Sequence, residues 1–313
     1  MTPDSDAQES AGKPGTVGPA SVLLLASVVL FTGRLLRAQD PATCPAPFVE
    51  IARHHPIDDT CGAEGHGTSE AQKAQNRAKN NFCATGEPAV VTTVSFRKLQ
   101  AAAGDSGVSF GSDGQLPDDR SALRKLYTTS FGATIGEGDL VTFVAFVLDA
   151  HYSNAKHPSP GKKPGESVNC NVEGEEDNDI HIMLGTTKTT AACQSVTAEM
   201  IPHERPDLWT PDQLNSTRGH PVRIVGQLFF DASHRPCTTG KTASPARVSL
   251  WEIHPVYAVD VCSNSSLSQC SIDDAGVWTP LHQFDGSNAG QDPDEVGPSS
   301  ARAPVTAADE EGK

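Results

Sequence analysis

The chain has 313 residues, with 24 basic and 39 acidic side chains and a net charge of −15 at pH 7. That balance repels phosphate backbones and argues against a nucleic-acid partner that lacks a local basic groove to sit in. With 37% hydrophobic residues, 5% aromatics, 27 Gly and 23 Pro, the chain can build one large core or two ordinary ones, separated by irregular segments.

Residues 1–38 read as a leader. Within it, "ASVLLLASVVLF" at 20–31 is an uncharged apolar run, as long as the ~7–15-residue core of a secretory signal and shorter than the ~20 residues that comfortably span a bilayer. Export follows, to a periplasmic, extracellular or membrane-anchored location, with cleavage possible after Ala38. Two features depart from a standard signal: Asp4, Asp6 and Glu9 precede the run against only Lys13, and Arg34 and Arg37 follow it. Those arginines also suit an uncleaved anchor, in which case residues 20–31 supply the membrane contact. A buried apolar segment is the plain alternative.

The eight cysteines, Cys44, Cys61, Cys83, Cys170, Cys193, Cys237, Cys262 and Cys270, all lie beyond that run and form no CxxC pair. This pattern disfavours a structural zinc site and fits disulfides made in an oxidising compartment. Eight cysteines allow roughly a hundred pairings, so the connectivity stays open.

Residues 40–88 form a cysteine-bounded segment. Ser69 with Gln72 three positions on resembles a capping box, and Ala71, Ala74 and Ala78 give a thin apolar stripe, which predicts a polar helix resting on the main domain. A second helix is predicted at "DDRSALRKLYTT", 118–129, after Asp118 and Asp119. The segments "AVVTTVSF", "DLVTFVAFVLDAHY", "DIHIML", "QSVTAEMI", "HPVRIVGQLFFD" and "RVSLWEIHPVYAVDVC" are β-branched or aromatic and bounded by turn residues. They predict a mainly β domain over 89–282: a small closed antiparallel barrel of the oligonucleotide/oligosaccharide-binding type, with one or two peripheral helices. A sandwich is the rival, and Gly226, read as a bend or bulge, favours the barrel. The loop between the second and third of these strands has a basic half, Lys156 to Lys163, and an acidic half, Glu173 to Asp177. Residues 283–313 are acidic and aperiodic, the composition of a disordered tail.

Alternation places Glu252 and His254 on one face of "LWEIHPVYAVDV", with Leu250, Val256 and Ala258, against Trp251, Ile253, Tyr257 and Val259. Pro255 lacks a ladder donor, which puts that stretch at an edge or bulge. Asp179 and His181 likewise share a face of "DIHIML". These four residues are the candidate site. They can line a polar binding surface for an unidentified small molecule or protein, with no cofactor; alternatively they hold a divalent metal or serve as acid and base in a hydrolase, with phosphodiesters as one substrate class. The bland reading is a histidine oriented by its carboxylate neighbour in a structural hydrogen bond. Neither HxH nor HExxH occurs in the chain, and enzymatic activity stays open.

Weaker candidates are Glu199 with His203, Asp231 with His234, the loop residues His54, His55, Asp58, Asp59 and His66, and Arg218, Arg223, Arg235 and Arg247 as a possible anionic pocket. For Asp231, turn capping is the simpler expectation.

The combination "GESVNCN…DNDIHIML", "SVTAEMIP", "HPVRIVGQLFFDASH" and "RVSLWEIHPV", preceded by "IDDTCGAEG" and "RAKNNFCA", resembles a set of exported bacterial proteins of uncharacterised activity that share a WEIHPV-type C-terminal strand. The likeness covers roughly 44–262. It implies a single exported module and contributes no catalytic residue.

Overall fold

The computed structural model describes residues 44, 46–52, 55–153 and 165–286. The leader, His54, the basic half of the long loop and the tail beyond 286 lie outside the described residues. In chain order the elements are α1 (Phe48–Ile51), α2 (Glu70–Lys79), β1 (Ala89–Val91), α3 (Thr93–Asp105), β2 (Tyr127–Thr128), β3 (Thr134–Ile135), β4 (Leu140–Tyr152), β5 (Ile180–Gly185), β6 (Val196–Met200), α4 (Pro211–Ser216), β7 (Pro221–Phe230), β8 (Trp251–Cys262) and β9 (Trp278–Pro280).

Five strands close on themselves in the order β4, β5, β6, β8, β7 and back to β4. Closure depends on the length of β4. Its first half, Leu140 to Phe146, pairs with β7, and its second, Phe146 to Tyr152, pairs with β5. The mainly β barrel is therefore present, but it is mixed rather than antiparallel. Thr197 and Ala198 of β6 run parallel to Glu252 and Ile253 of β8, and β1 runs parallel to β4. The cause is parity: directions cannot alternate all the way round a closed ring of five strands, and the one parallel pair falls between β6 and β8.

The barrel interior is apolar. Phe143, Ile182, Leu184, Ala198, Ile224, Leu228 and Ile253 belong to one buried cluster, joined by Phe96, Leu99 and Ala103 of α3. Each large member contributes ~1.5–3 kcal/mol by leaving water.

Two predicted elements differ. "AVVTTVSF" is a strand only as far as Val91, because Thr92 and Ser95 bond reciprocally, side chain to backbone, and start α3. Local capping chemistry here overrides β propensity. The helix predicted at 118–129 reduces to one turn at Ser121–Leu123. Arg124 is already extended, Lys125 then takes φ 51°, and the Arg120 side chain turns away to Glu137 and the Phe230 carbonyl. By contrast, α2 stands where predicted: Ser69 Oγ accepts from Gln72 N, while Gln72 Oε1 accepts from Thr68 rather than from Ser69.

All eight cysteines pair, as Cys44–Cys83, Cys61–Cys170, Cys193–Cys237 and Cys262–Cys270. The first two hold the α2 segment, one pair closing it on itself and the other tying it to the loop before β5. Four disulfides point to an oxidising, extracytoplasmic location. No helix among the described residues is long and apolar enough to cross a membrane.

Candidate functional site

β5, β6 and β8 are neighbours, so alternation sends Ile182, Ala198 and Ile253 into the barrel and His181, Glu199 and Glu252 to the opposite face. That outer face is covered by α2. Lys79, the last residue of the helix, reaches over it, with its ammonium 5.8 Å from the centre of the Phe229 ring. The predicted residues Asp179, Glu252 and His254 are all buried there.

The pleat of β8 changes at Pro255. Leu228 pairs with Ile253 but Gly226 with Val256, and a further shift follows at Val225. Pro255 thus sits in a bulge of an internal strand, not at an edge. Ile253, Val256 and Val259, three residues apart, all reach the core. Tyr257, assigned by simple alternation to the face opposite His254, instead sends its hydroxyl to the Asn81 carbonyl and Gln227 Oε1 on the α2 side. Gly226 makes the bulge possible, since a Cβ there would lie 2.5 Å from Ile253 Cγ2 and 2.5 Å from the Pro255 carbonyl.

Glu199 stands at the centre of the site. Its Oε1 lies 3.2 Å from His181 Nε2, and its Oε2 lies 2.7 Å from His254 Nδ1 and 3.5 Å from Lys79 Nζ. On the outer side Glu166 completes a ring, 3.2 Å from His181 Nε2 and 3.0 Å from Lys79 Nζ. On the inner side His254 Nε2 lies 3.8 Å from Asp179 Oδ2, and its Nδ1 3.7 Å from Glu252 Oε2. Arg247 then bridges Glu252 to Asp231, and Asp231 Oδ2 lies 2.6 Å from His234 Nδ1.

This network opens on a cleft of about 290 Å³ between α2 and the sheet, lined among others by Lys79, Glu166, His181, Glu199, Asp231 and Arg247. The structure therefore unites all four predicted residues, His181 joining the other three through Glu199. Of the weaker candidates it adds Glu199, Asp231, His234 and Arg247. Asp231 has the expected turn bond to Ser233 N as well, so its two oxygens serve both roles. His203 pairs instead with Asp58, Arg218 with Asp149 and Arg223 with Asp260, so no arginine pocket forms. Lys79 and Glu166 were not legible as site residues. A lysine ending a polar helix and a glutamate in a loop carry no periodic signal of burial.

Burial opposes charge on both site histidines, yet neighbouring carboxylates prevail. Glu199 and Glu166 push His181 up to about 10, and Glu199 pushes His254 up to about 9. Glu199, despite its own burial, is held well below the usual carboxylate range by His181, Lys79 and His254. Asp179 goes the other way: burial and the charge of Glu166 raise it to about 6. Burial and Glu199 likewise raise Glu252. Two carboxylates on the inner side thus lack sufficient positive charge.

Comparison with protein-family models, curated proteins and solved structures finds no match, so the site rests on its own geometry.

Proposed function

We propose that the chain is an exported, extracytoplasmic β domain that binds a small polar ligand in the cleft between α2 and the β5–β6–β8 face. The observation that carries this is the concentration of buried ionisable groups beneath one open cleft. A buried ion network is weak as a stability device, since apolar residues of similar volume often serve as well or better. Perturbed, converging acids and bases at a cleft are instead what a recognition site uses. Lys79, His181 and Arg247 offer donors, and Glu166 and Asp231 offer acceptors, which suits a ligand carrying both. Export is supported by the four disulfides, by the apolar run at 20–31 and by the resemblance to exported bacterial proteins.

The test is a ligand-observed binding screen of small polar molecules against the parent, His181→Gln and Gln72→Trp, the last placing an indole at the mouth of the cleft. Hits lost in both folded variants support the reading. Equal binding to all three proteins rejects the cleft.

A second reading, a divalent-metal-dependent hydrolase of phosphodiesters, is favoured by the approach of Asp179 and His254 without a hydrogen bond. Turnover of a chromogenic phosphodiester with Zn2+ or Mn2+, abolished in His254→Gln, would establish it. No turnover by metal-loaded parent excludes that substrate class.

A further inference from the structure

We infer that Asp179, Glu199 and His254 form a site for one divalent metal ion of the zinc class, taking mixed nitrogen and oxygen ligands. The inference deepens the ligand-binding reading of the same cleft and rests on it for access, since Glu199 also lines the cleft floor.

One donor atom from each of the three residues lies within 4.8 Å of the others. Ligands ~2.0–2.2 Å from zinc in a tetrahedron are ~3.3–3.6 Å apart. The 3.8 Å between His254 Nε2 and Asp179 Oδ2 is too long for a hydrogen bond and close to that edge.

The pattern of satisfied and unsatisfied atoms points the same way. Asp179 Oδ1 accepts from Asn169 Nδ2 at 2.8 Å, while Asp179 Oδ2 has no hydrogen-bond partner. His254 Nε2 has no hydrogen-bond partner, while its Nδ1 faces Glu199 Oε2 at 2.7 Å. Glu252 Oε2 also has no hydrogen-bond partner, although Arg247 holds its other oxygen. Buried polar atoms are nearly always satisfied, so several orphans converging in one place need a cause. Carboxylates fixed through one oxygen, with the other free, are how outer partners orient metal ligands.

Charge gives an independent argument. Glu166, Asp179, Glu199, Asp231 and Glu252 supply five negative charges, and Lys79 and Arg247 supply two permanent positive ones. The acidic groups outnumber these permanent cations, an excess that a divalent ion offsets. Glu252, 3.7 Å from His254 Nδ1, supplies a further oxygen on the same side.

The experiment uses the full chain with its disulfides formed. Parent, Asp179→Asn, His254→Gln and His282→Ala, an exposed histidine outside the network, are treated with chelator, titrated with Zn2+ by calorimetry, desalted and assayed by elemental analysis. Co2+ substitution reports ligand geometry by absorption. We expect about one equivalent in the parent and in His282→Ala, and at least about a tenfold loss of affinity in Asp179→Asn and His254→Gln, by the scale of metal-site perturbations. No metal in the folded parent, or undiminished binding in both ligand variants, overturns the site. Should the parent take no metal while cleft ligands still distinguish it from Gln72→Trp, this inference alone fails. Should both be absent, the ligand-binding reading fails with it.

Discussion

Arg247 shows why single residues in this site are not interchangeable. Its side chain is 1% exposed and is the cation between Glu252 and Asp231. Replacing it with methionine keeps volume and leaves two buried carboxylates facing each other. Removing one partner of such a network costs ~3–5 kcal/mol, because the survivors are stranded without water. The midpoint of chemical denaturation of Arg247→Met should fall accordingly. The control is Arg77→Ala: Arg77 also pairs with a glutamate, Glu64, but both side chains are 46% exposed, and such pairs contribute ~0–1 kcal/mol. Equal losses in the two variants would show that water reaches Arg247.

Two elements position the site, and they differ in how openly the sequence displays them. The bulge in β8 was legible, because Pro255 lacks a ladder donor and Gly226 breaks a branched run. Its consequence was not: extra residues in one strand rephase the side chains, and only the register with β7 tells how many. Gly226→Ala should destabilise by ~1–3 kcal/mol, the cost of overpacking, since the new methyl meets both Ile253 and backbone. A thermal midpoint within a degree of the parent would mean that the bulge relaxes. The helix α2 was legible from Ser69 and its alanines, whereas its role as the roof of the site depends on long-range links that no local pattern encodes. One of these is Cys61–Cys170, spanning 109 residues. Loop-closure entropy over that span is worth ~4–5 kcal/mol. Cys61→Ala/Cys170→Ala should lose much of that and expose the cleft floor, seen as faster amide exchange at Lys79 and His181. Unchanged exchange there would mean that packing alone holds the roof.

At the scale of the whole molecule, the barrel followed from strand-forming segments in order, and their mixed pairing did not, because six strand-forming segments can alternate in direction whereas the five that close the ring cannot. The pH dependence of folding is a property at this scale, summed over the network. Folding raises His181 to about 10 and His254 to about 9 from an ordinary value of 6.5. The folded state therefore binds these protons more tightly, and that stabilisation is complete below pH 6.5 and lost as pH rises through 9 and 10. Glu166, Glu199 and Asp231 are depressed, so their contribution is complete above their ordinary values near 4 and fades only in stronger acid. Asp179, raised to about 6, gains on acidification and softens that loss. Stability of the chelator-treated protein should accordingly peak between about pH 4.5 and 6.5 and decline towards pH 10. Each kcal/mol lost lowers Tm by ~2–4 °C at this size. In His181→Gln the alkaline decline should be shallower, because one of the two protons responsible is gone. A Tm that is flat from pH 6 to 10 in the parent would mean that the histidines are not protonated by their carboxylates, and that the positive charge holding Glu199 and Glu166 together comes from elsewhere.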